Sequence, residues 1–441
     1  MKHRWIVMLA LLLAVASLGP VFGVERFPPP DFTGHAVPET LVPAPQGRAG
    51  TGWIDVAALA VGLAAASWLS LKRRSRRGLV ILSMVSLAYF GFWRRGCVCA
   101  IGSIQNVALG MAEPSYAVPL AVIAFFALPL GVALIWGRGF CAGVCPHGAI
   151  QDLVLVRPIK VPGWLDEILR VLPLIYLALA ILLAATGAGF IICQYDPFVG
   201  IFRMAAPRGL FLAGAGLLLL AMFFGRPYCR YLCPYGVLLG WAARCSKWRP
   251  TVAPDTCTQC RLCEDACPFG ALNPPMPATK GPERTARARQ RVVLLVLSVP
   301  LCVLLFGWLG GKTGIASMPA HPDGRLAALV LQQERAQSAG LLPDELSAFR
   351  QHGADRPAVF NKARTLEARF FLLGRWIGAA FGLVLALKLA RLAFPAASSD
   401  YVTDAGRCVS CARCFSACPY ELVRRGVPVT LPPEGGRRDA S

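Results

Sequence analysis

Long apolar runs recur throughout this chain, and they narrow the choice of fold more than any other feature. A helix that crosses a membrane needs roughly 20 predominantly apolar residues. Seven segments reach or approach that length: Trp53–Leu71, Gly78–Trp93, Tyr116–Trp136, Ile168–Ile192, Leu210–Phe224, Val292–Gly310 and Phe370–Phe394. The second and fifth are short. Pro129, Pro173 and Pro300 fall inside these runs, where membrane helices tolerate them. Hydrophobic residues make up 56% of the chain, more than a soluble domain could cover with polar surface.

The charged residues orient the spans. The net charge is +21, which in a membrane protein reflects Lys and Arg gathered in cytoplasmic loops. Lys72, Arg73, Arg74, Arg76 and Arg77 follow the first span and place its end inside. Alternation then puts 94–115, 193–209 and 311–369 outside, and 137–167, 225–291 and 395–441 inside. Nucleic-acid binding would also explain a basic chain, but no motif for it is present. Ahead of the first span, Lys2, His3 and Arg4 precede an apolar stretch from Ile6 to Ala16. Residues 1–23 therefore read as a signal peptide or signal anchor, and 24–52 as a Pro- and Gly-rich outer linker.

Two cysteine runs carry the chemistry. Cys257, Cys260, Cys263 and Cys267-Pro268 read C-x2-C-x2-C-x3-C-P, and Cys408, Cys411, Cys414 and Cys418-Pro419 repeat the pattern. This spacing holds [4Fe–4S] clusters, with the fourth cysteine of each run ligating the other cluster. The expected sets are Cys257, Cys260, Cys263 and Cys418 on one cube, and Cys408, Cys411, Cys414 and Cys267 on the other. Zinc ribbons use two separated cysteine pairs instead. The two spans between the runs return both to one face, so a single module is feasible.

A second set of cysteines forms an internal repeat. Gly137-Arg138-Gly139-Phe140-Cys141 leads to Cys145-Pro146-His147-Gly148, and Gly225-Arg226-Pro227-Tyr228-Cys229 leads to Cys233-Pro234-Tyr235-Gly236. Each copy follows an outside-to-inside span, so the expectation places both at the cytoplasmic membrane edge. Cys141, Cys145, Cys229 and Cys233 offer four thiolates, the number one more cube needs. The bland alternative is a pair of helix-start turns. Cys97, Cys99 and Cys193 form a third constellation at the expected outer face, open to metal, thiol exchange or disulfide chemistry. Cys245 and Cys302 read as small core residues. Few ionisable residues are expected inside the spans.

These motifs together resemble the membrane-bound 4Fe–4S ferredoxins of the NapH/NosR type, a polyferredoxin-like family. Arg95–Asn106, Cys193–Phe198, Gly225–Gly240 and Cys257–Gly270 carry the likeness. The resemblance implies a bacterial inner-membrane protein linked to quinol oxidation and to a periplasmic or membrane oxidoreductase partner. NosR-type proteins have a large outer flavin-binding domain, for which 24–52 is too short. NapH-type proteins keep their two ferredoxin runs adjacent, whereas a membrane hairpin separates them here.

The expected fold class is mostly α, a polytopic transmembrane helical bundle with a small ferredoxin-like α+β two-cluster module. The expected division is a bundle over 53–245, a first cluster segment over 246–290, a hairpin over 291–394 with outer loop 311–369, and a second cluster segment over 395–441. The expected cofactors are two [4Fe–4S] clusters, with a candidate third centre at the C-x3-C-P cysteines. The expected surroundings are membrane lipid, quinone and an oxidoreductase partner. The expected role is an electron-transfer subunit rather than a stand-alone enzyme. The alternative is redox sensing or maturation of a periplasmic metalloenzyme.

Overall fold

The computed structural model describes residues 51–96, 99–156, 158–204, 207–251, 257, 259–275, 283–336, 346, 349, 356–393 and 400–428. The expected signal segment and nearly all of the outer linker lie outside these residues, as does Cys97.

The chain is a mostly α polytopic membrane protein. Among the described residues, four helices are long and apolar enough to cross a membrane: Gly52–Leu71, Gly163–Ala185, Val296–Ala320 and Arg356–Arg391. Pro197–Arg203 and Arg208–Ala221 together make a fifth if the bent pair is one span. These coincide with four or five of the seven expected spans, and Gly78–Trp93 and Tyr116–Trp136 fall below the length of the rest. Leu120–Trp136 has only 17 residues, about 26 Å at 1.5 Å each. Arg76–Ser86 gives way at Leu87 to a π-helical stretch, Leu87–Trp93, so the second run is not one regular helix. Hydropathy finds apolar residues but does not register where a helix changes its winding or turns back.

The core gathers Leu59, Leu63, Phe90, Ile101, Phe125, Phe140, Leu177 and Phe198, all buried, from helices spread between residues 51 and 203. Beside this bundle stands a separate hairpin of two long helices, Glu283–Ala316 and Arg356–Ala393. Each extends beyond its expected span into what the sequence suggests is an outer loop. The seam between them is lined with glycine. A Cβ on Gly374 would sit 2.3 Å from the Gly310 carbonyl oxygen, and one on Gly378 would sit 2.1 Å from that of Phe306. Only glycine allows backbones this close, the packing device of small-residue membrane helix pairs. The opposite face leaves Val296, Leu297, Leu301, Leu304 and Trp308 exposed, as a lipid-facing surface would be.

The hairpin's ends carry the two cysteine runs back to each other. Strand β1 (Leu272–Asn273) follows the first run, and strand β2 (Val402–Thr403) precedes the second. They pair antiparallel, with Leu272 opposite Thr403 and Asn273 opposite Val402. The Asp404 amide extends the ladder by donating to the Ala271 carbonyl at 2.8 Å.

Candidate iron–sulfur centres

The two runs fold alike. Gln259 and Arg261 in the first have φ of +55° and +63°, and Ser410 and Ala412 in the second have +56° and +59°. Non-glycine residues seldom adopt this conformation, so its recurrence at equivalent positions points to a demand of the loop itself. Turns of this kind aim successive backbone N–H groups inward, the nest arrangement found at Fe–S sites. Each loop then enters a short helix, Leu262–Asp265 or Arg413–Ala417.

The thiols of the two runs lie close enough to influence one another across the module. Burial, then Cys257 and Cys260, and also Cys418, push the Cys263 thiol up to about 11, against a lowering hydrogen bond from the Glu264 backbone. Cys408 rises to about 12 through burial, Cys411 and Cys267, partly offset by the Ser410 backbone and Arg138. Cys414 is raised by burial and by Cys411, Cys408, Cys267 and Cys263. Thiols crowded in this way resist ionising unless a cationic core takes them up, the usual coupling of metal binding to proton release. Among the described residues, no three His, Cys, Asp or Glu side chains converge as ligands of a single ion. A cube asks for a different arrangement, one sulfur at each corner around a void.

The C-x3-C-P repeat adopts a geometry that the sequence did not reveal. In the first copy, Arg138 touches the module, its Nη1 donating to the Gly406 carbonyl at 2.9 Å. The chain then climbs into the bundle, where Gly139 and Gly143 pack on Ala66, Ser67 and Leu82. Cys145 lines an interior cavity with Leu59, Phe90 and Phe125. Pro146–Leu153 returns, so that Asp152 meets Arg76 at 2.9 Å.

The second copy does the same. Gly225 lies against Pro268, where a Cβ would come within 2.6 Å of the proline ring. Tyr235 reaches the Phe126 carbonyl at 2.7 Å, and Gly240 comes back to Gly406. Both copies are therefore re-entrant hairpins entered from the module side. Cys145 and Cys233 are buried inside the protein, at 7% and 8% exposure. All four thiols lie within electrostatic reach of one another.

Cys99 and Cys193 approach from the other direction. Cys99 precedes the Ala100–Ala112 helix and shares its cavity wall with Cys145 and His147. Cys193 packs on the first turn of that helix, its Sγ 3.0 Å from where a Gly102 Cβ would lie. None of the described cysteines is in a disulfide. Asp196 links the two regions. Its Oδ1 accepts from the Phe198 and Val199 amides at 2.9 and 3.3 Å. Its Oδ2 accepts from the Tyr228 hydroxyl at 2.6 Å and lies 3.1 Å from His147 Nε2.

The bundle buries ionisable residues, Asp55 within an expected span and Arg138, His147, Asp166, Asp196 and Arg226 in segments expected to lie between spans. In the sequence Arg138 and Arg226 stand out only as parts of a repeat, because their distant partners, 74 to 268 residues away, leave no periodic trace. Their recurrence in both copies was the available signal. Cys245 is exposed rather than a core residue.

Fold and site together define a polytopic membrane protein with 4Fe–4S chemistry. A family model described as a 4Fe-4S binding domain matches twice, over residues 118–162 and 205–251, one match to each re-entrant copy. A second 4Fe-4S binding domain model matches 250–273. The chain is 31% identical over 219 residues to Protein NirI of Paracoccus denitrificans, covering 46% of this chain and 32% of that one. It is 26% identical to Regulatory protein NosR of Pseudomonas aeruginosa, covering 46% and 30%. It is 29% identical to the Methylamine utilization ferredoxin-type protein MauN of Paracoccus denitrificans, covering 52% and 87%. The chain is a membrane 4Fe–4S protein similar to the NosR/NirI type, and it spans about a third of the length of NirI and NosR. No solved structure matches it.

Proposed function

We propose that this chain moves electrons across a bacterial inner membrane, with its cysteine module on the cytoplasmic side. Cys257, Cys260, Cys263 and Cys418 would hold one cube, and Cys408, Cys411, Cys414 and Cys267 the other. Cys141, Cys145, Cys229 and Cys233 would hold a third inside the bundle. The clusters, when bound, supply one-electron carriers. The chain contributes their spacing: the module rests on Arg138, the re-entrant hairpins lift their cysteines into the bundle, and Cys99 and Cys193 continue the series beyond. The observation that carries this reading is the pair of hairpins, which place four thiols between the module and the opposite end. The quinone pool or a cytoplasmic donor would serve one end, and an extracytoplasmic reductase the other.

Iron and acid-labile sulfide counts on anaerobically purified protein test it. About twelve irons per chain are expected from three cubes, and about eight would remove the hairpins from the path. Iron-free protein would end the proposal. A second reading is a regulatory or maturation role, favoured by the likeness to Regulatory protein NosR. A deletion strain in which the partner reductase is metallated but receives no electrons supports transfer, and an unmetallated partner supports maturation.

A further inference from the structure

A cavity of about 980 Å³ opens where the bundle, the long hairpin and the cysteine module meet. Its two halves differ in character. Leu174, Val237, Trp241, Val384 and Leu387 form an apolar wall contributed by three different helices. Cations ring the other half, and they outnumber the carboxylates beside them. Glu167 pairs with Lys388 and Arg407, and Asp404 pairs again with Arg407. Asp166, outside the lining, pairs with Arg170 and Arg230. Among the described residues, no carboxylate pairs with Arg138, Arg244 or Arg391. The internal repeat shows why Arg138 is left over. Its counterpart Arg226 is held by Asp152, and the residue equivalent to Asp152 in the second copy is Gly240. Arg138 is 7% exposed; its Nη1 donates to the Gly406 carbonyl and its Nη2 to Cys141 Sγ, while its buried Nε has no hydrogen-bond partner. Burial and then Arg391, with Arg407 and Arg138, also hold Arg244 below its ordinary value against the pull of Asp404.

We propose that this cavity binds one acidic membrane phospholipid, its phosphate among Arg138, Arg244 and Arg391 and an acyl chain along Val237, Trp241, Val384 and Leu387. Basic pockets between membrane helices take acidic headgroups in this way. The volume lies within the range of ligand sites. The apolar wall requires a tail, so a free phosphate would satisfy only half of the site. The inference goes beyond the electron-transfer reading but shares a wall with it: Cys229 and Cys233, assigned above to the third centre, also line this cavity, and the iron count in the test keeps the two apart.

The test uses the full chain in nanodiscs of equal phosphatidylglycerol and phosphatidylcholine, re-extracted into detergent and weighed by native mass spectrometry with its iron counted. The wild type should retain one phosphatidylglycerol, enriched roughly tenfold over phosphatidylcholine. R244Q/R391Q should lose that enrichment while keeping wild-type iron. R77Q, an exposed cation outside the cavity, should retain it. Equal retention by R244Q/R391Q, or equal loss by R77Q, overturns the proposal. So does displacement of the lipid by inorganic phosphate alone. If the double variant misfolds, W241R supplies the second readout: it blocks the tail while adding a cation, so undiminished lipid retention would refute a tail-binding wall.

Discussion

Arg138 and Arg226 stand at the same position in two copies of one motif, and of the two only Arg226 pairs with a carboxylate among the described residues. Arg226 is fully buried, held by Asp152 through Nε at 3.0 Å and Nη2 at 2.7 Å, and it also donates to the Cys141 carbonyl. Breaking a buried pair strands the remaining charge, typically at a cost of about 3 kcal/mol or more. Asp152→Asn should therefore lower the thermal midpoint in detergent markedly, whereas Asp152→Leu with Arg226→Met should recover much of the loss. An unchanged midpoint in Asp152→Asn would mean that the pair is not buried as described. The thiols make a separate prediction. If Cys267 serves the loop of Cys408, then Cys267→Ser and Cys408→Ser should remove the same cube, about four irons each and no more when combined. Additive iron loss in the double variant would reject the crosswise sets.

At the scale of elements, the glycine seam decides whether the two cysteine runs meet. Gly374→Val should force Gly310 and its helix away, releasing Cys408–Cys418 from Cys257–Cys267 and lowering the iron content. Gly131→Val, on a helix face with nothing within 4 Å, is the matched control and should keep full iron. The C-terminal segment has a second tether at Glu421, which accepts hydrogen bonds from Arg74, Arg424 and Arg425. Burial alone would raise its carboxyl, but Arg424 and Arg74 outweigh burial and hold it below the usual 4.5. A depressed folded value means the tether is fully present above about pH 4.5 and is lost as pH falls below that. Protection of the 419–428 amides, with the intrinsic pH dependence of exchange divided out, should fall across that acid window in the wild type. Glu421→Gln should show the lower protection already at neutral pH, and full, pH-independent protection in the variant would dismiss the tether. Elements such as the seam were partly legible in advance, since Gly374, Gly378 and Gly382 recur every four residues. The re-entrant hairpins were not: a run of apolar residues looks the same whether it crosses or turns back, and only contacts such as Tyr235 with Phe126 fix the direction.

Across the whole molecule, cysteine spacing announced the chemistry, and apolar length announced the bundle. What stayed hidden was how they connect, because each link joins residues far apart in sequence: β1 with β2, Asp196 with His147 and Tyr228, Arg138 with Gly406. These links place one cysteine module at one end of the bundle and four further thiols within it. On the proposed reading, two runs about 140 residues apart build one two-cluster module. EPR of the reduced protein tests this most directly, because paired cubes in one module couple their unpaired spins. The account predicts an interaction-split spectrum that collapses to an unsplit signal in Cys418→Ser. Two magnetically isolated signals in the wild type, unchanged in shape by that substitution, would contradict it.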